Sequence, residues 1–236
     1  MLSASEYKFI INTCTTEDGM INSDYLDISS ATALNLLRYG IIYNDIGGIE
    51  TLVKSNIDIN YRDDENALTP LVMSIEEKRN DITKYLVKAG ADVNATMKKN
   101  WTALIYAIHA NNNIIVSELI DNNIDVNKET DNKETALMWA VVHNNSQMVD
   151  LLIKAGADVN VQTIHGYTAL MLASQNDNKI IAKQLIDAEA DVKLINDDKE
   201  NAFIIAVKNG AMCTMNFIKQ FYSPGELLPS ELISTE

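Results

Sequence analysis

The chain has 236 residues, 47% of them hydrophobic, which is enough apolar material for a buried core and excludes a disordered polymer. A net charge of −14 repels phosphate backbones and anionic lipid surfaces alike, so nucleic acid and membranes are set aside as partners. No stretch approaches the roughly 18 to 20 apolar residues of a membrane span, and the start MLSASEYKFIINTCTTEDG lacks the basic beginning and long apolar middle of a signal peptide, so a cytoplasmic protein is expected, with delivery into a host cell as the alternative.

In chain order, Leu2 to Cys14 reads as a short helix with Tyr7, Ile10, Ile11 and Cys14 facing inward, within an N-terminal capping region of residues 1–30. Residues 31–63 form a degenerate unit that closes on DIN at Asp58. A TAL at Thr32 looks like its opening, but counting back from Asp58 puts the opening at Asn35. Either three residues are inserted around YNDIGG or the TAL match is accidental.

Residues 64–196 are four regular units. DVN recurs at Asp92, Asp125 and Asp158, then DVK at Asp191, each 33 residues after the last. LTPL around Thr69, WTAL around Thr102, ETAL around Thr135, YTAL around Thr168 and a worn ENAF around Asn201 run in parallel at the same spacing. The heptapeptide KAGADVN occurs twice, at Lys88–Asn94 and Lys154–Asn160. A fixed period of this size signals a stacked array in which each unit buries its apolar face against its neighbours.

Within a unit the apolar pattern is helical twice over: Leu104, Ala107 and Ile108 share a face of one helix, and Ile115, Val116, Leu119 and Ile120 share a face of the next. The small residues Ser74, Ala107, Ala140, Ala173 and Ala206 let helices approach closely; a leucine at one of them is expected to overpack the stack by about 1 to 3 kcal/mol. Each motif threonine is an N-cap. The residues between the helices (Asn44, Lys78, Asn111, Asn144, Asp177, Gly210) and after the second helix (Asn56, Gly90, Asn123, Gly156, Glu189) are expected to be left-handed, although Lys78 and Glu189 are poor types for it. Residues 197–223 read as a C-terminal capping repeat that turns Thr214 and Lys219 to water, and residues 224–236 as a loosely ordered tail.

LTPL, WTALIYA, ETALMWA, YTALMLA and the GADVN endings resemble the ankyrin repeat, whose signature is T-P-L-H-x-A at this period. The likeness runs from about Ala31 to Tyr222. The usual histidine is replaced by Val72, Ile105, Met138, Met171 and Ile204, and proline survives only at Pro70. The resemblance implies an all-α solenoid of about six stacked helix pairs joined by β-hairpin-like loops. In such a stack Cys14 and Cys213 lie roughly 40 to 50 Å apart, too far for a disulfide, so both are expected as free thiols.

The three histidines lack HxxxH or CxxC company, so no metal, cofactor or catalytic site is expected. Asp92, Asp125, Asp158 and Asp191 are read as turn-opening residues whose side chains bond the backbone two residues on. What varies between units carries the function. By resemblance, partners bind the concave face made of loop tips and first-helix surfaces, which here gives Leu68, Glu77, Trp101, His109, Glu134, His143, His165 and Tyr167 as partner-binding residues. Trp139, inside a first helix, is expected to line the packed part of the groove. The implied activity is non-enzymatic: a monomeric module that binds a protein with a neutral or basic surface. A regulatory or targeting subunit of a larger enzyme or secreted effector system is the alternative.

Overall fold

The structure, a computed structural model, describes residues 2–22, 31–62 and 67–223. The chain divides into two compact units, residues 1–125 and 126–236. The first holds α1 (Ala4–Cys14), α2 (Ala31–Ile42), α3 (Ile46–Lys54), α4 (Pro70–Glu76), α5 (Asn80–Lys88), α6 (Ala103–His109) and α7 (Asn113–Asp121). The second holds α8 (Ala136–Val142), α9 (Ser146–Lys154), α10 (Ala169–Gln175), α11 (Lys179–Asp187), α12 (Ala202–Lys208) and α13 (Met212–Ile218). After α1 the helices come in pairs. In the first unit α2, α4 and α6 pack side by side as one row and α3, α5 and α7 as another; in the second unit α8, α10 and α12 form one row and α9, α11 and α13 the other.

The row of short helices is set by its caps and its small residues. Thr69, Thr102, Thr135 and Thr168 each accept the N–H of the third residue on, at 3.2 to 3.4 Å, and Asn201 does the same to Ile204 at 2.9 Å, so the worn ENAF motif keeps its function. Ser74, Ala107, Ala140, Ala173 and Ala206 are fully buried where neighbouring helices meet. Val72, Ile105, Met138, Met171 and Ile204 are buried too, so the position that usually carries histidine is part of the core here. Every residue expected to be left-handed is so, including Lys78 (φ 56°) and Glu189 (φ 68°).

A third left-handed series escaped the sequence reading. Ala67, Asn100, Lys133, Gly166 and Lys199 have φ between 56° and 76°, one per loop tip at the same spacing. Backbone bonds from Thr130 N–H to Glu134, Thr163 N–H to Tyr167 and Asn196 N–H to Glu200 close these tips at 2.9 to 3.0 Å. They are hairpin-like turns without strands: the β-bridges among the described residues are Thr15 to Ile21 and Thr96 to Thr102.

The DVN motif has two jobs. Asp58, Asp92, Asp158 and Asp191 accept the N–H two residues on at 2.8 to 2.9 Å, as expected of turn-openers. The asparagine links one loop to the next. Asn94 Oδ1 accepts Asp125 N–H at 2.7 Å while its Nδ2 donates to the Asn123 carbonyl at 3.3 Å. In the second unit Asn127 joins Asp158 and Gly156 in the same way, and Asn160 joins Asp191 and Glu189. Lys193 replaces asparagine at the last such loop.

At the first pair, α2 begins at Ala31 and runs for 12 residues, with Thr32 inside it, whereas α3 has the same nine residues as α5 and begins after the same left-handed turn, at Asn44. Nothing is inserted around YNDIGG; the TAL at Thr32 is accidental, and the extra length lies at the start of α2. Helix α1 starts at Ala4 rather than Leu2, because Ser3 and Glu6 form a reciprocal capping box. Tyr7, Ile11 and Cys14 are buried, while Ile10, off that stripe, is half-buried. Tyr7 fits because Gly40 and Gly48 have no side chains: a Cβ on Gly40 lies 2.8 Å from both Tyr7 Oη and Ile49 Cγ1. Burial, and then the nearby Asp45 carboxylate, hold the Tyr7 phenol above the usual tyrosine range.

The last pair corrects another expectation. Thr214 does not face water: it is fully buried at the place held by Ile181 in α11, and its hydroxyl has no hydrogen-bond partner. Helix α13 turns Met212, Cys213 and Asn216 outward instead, with Lys219 exposed after it. The 33-residue period explains why: it gives Thr214 the inward direction whatever its chemistry. Cys14, buried, and Cys213, exposed, are both free thiols. The expected tail, 224–236, lies outside the described residues.

Candidate functional site

The structure sorts the eight candidate residues into separate groups. In the first unit Leu68 and Glu77 border a small cavity of about 90 Å³ with Arg38, Ile41, Met73 and Glu76; Leu68 is half-buried and Glu77, the C-cap of α4, is exposed. Also in that unit, Trp101 stands before its cap Thr102 and lays its ring edge-on against Tyr106, at 5.3 Å between centroids, and against His109, at 6.2 Å. The Trp101 ring is half-buried on its own helix and His109 is exposed beside it.

In the second unit Glu134, His165 and Tyr167 come together. They line an open groove of about 450 Å³ between the tips that precede α8 and α10 and the exposed surfaces of those helices. Its apolar wall comes from Met138, Trp139, Val142, Ile164 and Leu172, and its polar rim from Asn132, Thr163 and Gln175. The lining contains no lysine or arginine. Trp139 takes the groove position expected of it. His143 does not line the groove; it is half-buried and sits edge-on to Trp139 at 6.2 Å.

Tip geometry positions these side chains. Thr163 Oγ1 accepts the Tyr167 N–H at 3.1 Å, and Gln162 Nε2 donates to the Gly166 and Ile195 carbonyls, which fixes the tip against the next loop. Gly166 is required there, since a Cβ would lie 2.8 Å from Asn196 Cα. The Asp197 N–H donates to the His165 carbonyl at 3.2 Å, and the exposed His165 ring stands 4.0 Å from the Asp197 carboxylate. Glu134 is half-buried; its N–H donates to Thr130 Oγ1 at 3.1 Å, and Thr130 returns a long bond to Glu134 Oε2 at 3.4 Å.

Ile164 is the lining residue the sequence could have flagged, as an apolar residue at a loop tip that is otherwise polar, 49% exposed. Asn132 and Thr163 carry no such signal, because they lie on tips whose course depends on the left-handed residues Lys133 and Gly166, and Leu172 reaches the groove from within α10. Among the described residues no three His, Cys, Asp or Glu side chains converge as metal ligands, and no helix is long and apolar enough to cross a membrane.

No curated protein matches the chain significantly. Family models do. One describing ankyrin repeats in three copies matches residues 95–163 and 156–221, and another describing ankyrin repeats in many copies matches residues 42–107. Repeats of this kind generally mediate protein–protein interaction and typically act without catalysis. With the capped helix pairs, left-handed turns and 33-residue period found above, these matches show that the chain belongs to the ankyrin repeat family.

Proposed function

We propose that this chain is a non-enzymatic protein-binding module whose partner docks in the groove of the second unit. The observation that carries the reading is the groove itself: about 450 Å³, open to solvent, lined by Trp139, Tyr167, Val142 and Ile164 beside Glu134. Large rigid rings bury much area at little entropic cost, and hot spots favour them beside a few convergent polar groups. The Trp101 cluster of the first unit is the weaker contact surface, because its ring is committed to Tyr106 and His109. Residues 1–30 and 197–223 are the capping regions of this reading, and the module works as a monomer.

Capture from native extract tests it. Wild type retains a partner that Trp139→Ala/Tyr167→Ala loses and Trp101→Ala keeps. Equal retention by all three proteins overturns the groove assignment and leaves the fold untouched.

A further inference from the structure

Two glutamates occupy the same tip position in the second unit, Glu134 before α8 and Glu200 before α12, and they are treated differently. Each has one carboxylate oxygen held from four residues upstream: Oε2 of Glu134 by Thr130 Oγ1, and Oε2 of Glu200 by Asn196 Nδ2 at 3.1 Å. The other oxygen of Glu200, Oε1, is taken by the ammonium of Lys208 from the last turn of α12. Eight residues after Glu134 the corresponding position is Val142, whose side chain is 46% exposed. Glu134 Oε1 therefore has no cation from its own helix, and no described lysine or arginine forms an ion pair with it. Lys133, on the same tip, is exposed and is not among the residues that line the groove.

Resting on the protein-binding reading above, we infer that the groove takes a lysine or arginine side chain of an extended basic peptide segment, its charged head on Glu134 Oε1 as Lys208 sits on Glu200 and its stem across Val142 between Trp139 and Tyr167. The complementarity is direct. A half-buried carboxylate with an unfilled oxygen lines a groove whose lining has no lysine or arginine, in a chain of net charge −14, and Trp139 and Tyr167, aromatic side chains of the kind that attract cations, belong to the same lining. The neighbouring carboxylate of Asp197 adds to the attraction for a second basic residue on the His165 side. The Glu200 pair shows that this tip geometry accepts an ammonium.

A random dodecapeptide library panned on the full chain tests the inference, with the selected peptides then synthesised and measured against variants. Enriched sequences carry lysine or arginine beside an apolar residue, and their binding weakens strongly between about 0.1 M and 1 M salt. Glu134→Gln lowers their affinity about tenfold or more. Val142→Lys, which rebuilds the Lys208 arrangement on an exposed site and so fills Glu134 from within, lowers it at least as much, while Ile180→Lys, the same change of charge at an exposed position outside the groove lining, leaves it within about twofold. Peptides without a basic residue that bind wild type but not Trp139→Ala/Tyr167→Ala overturn the cation and spare the groove. Basic peptides indifferent to every one of these variants, or a library that yields no binder, overturn both.

Discussion

Two successive loops of the second unit, residues 154–167 and 187–200, solve the same backbone problem with unequal chemistry. The first is KAGADVN followed by a tip with Gly166 and Tyr167; the second is DAEADVK followed by a tip with Lys199 and Glu200. Both pass through a left-handed residue after the long helix, Gly156 at φ 88° in one and Glu189 at φ 68° in the other, and again at the tip, Gly166 at 76° and Lys199 at 64°. The backbone is conserved between them by packing, and the side chains are not. Where a further loop must be joined, Asn160 supplies two bonds to it; the following loop carries Lys193 at that place. Where Tyr167 opens onto a groove, Glu200 is closed off by Lys208. The first loop is built to be stacked upon and to present a surface. The second keeps the shape, carries strained residues, and turns its polar groups on itself.

Substitutions probe that difference, beginning with the one that separates the loops most. Gly166→Ala is expected to cost about 3 kcal/mol, from left-handed strain plus collision with the Asn196 backbone, against near zero for Lys199→Ala at the equivalent tip; chemical denaturation of both variants measures it. Asn160→Ala should cost about 1.5 kcal/mol by removing two loop-to-loop bonds. A thermal melt indistinguishable from wild type removes the idea that asparagine joins the loops.

Relief of strain should work in the other direction. Glu189→Gly, which installs the glycine of KAGADVN, is expected to stabilise by about 1 kcal/mol, with Gly156→Ala losing a similar amount because its added Cβ meets no atom and only the φ penalty remains. Thr214→Val, in the helix pair that follows the second loop, gains about 1 kcal/mol by deleting a buried hydroxyl that has no partner, as the raised unfolding midpoint should register.

The smallest effect is the pH dependence of the Glu200 pair. The side-chain bond from Lys208, then that from Asn196, holds the Glu200 carboxyl below its ordinary range. A depressed folded-state value contributes stability at neutral pH that is lost as pH falls through that value. Lys208→Met is therefore slightly less stable than wild type at neutral pH, and the two converge on acidification. Curves that stay parallel to strongly acidic pH show that the pair contributes nothing through Glu200.

Much of this architecture is legible along the chain. The 33-residue period, the threonine caps, the small residues of the short helices and the left-handed residues between and after helices can all be read from the sequence, because each is a local backbone requirement that repeats. Even Glu189 and Lys78 take their left-handed places, since register overrides residue preference. The site is legible only in part. Glu134, His165 and Tyr167 meet in one groove, but His143 sits edge-on to Trp139 outside the groove lining, and Trp101 packs against Tyr106 and His109 in the first unit. The sequence by itself determined which residues could face outward, through period and helical phase. Only the tertiary structure decided which of them remain available, because the folding of each tip against its own helix sets a side chain's neighbours: Lys208, eight residues on, reaches Glu200, whereas Val142 holds the equivalent place after Glu134.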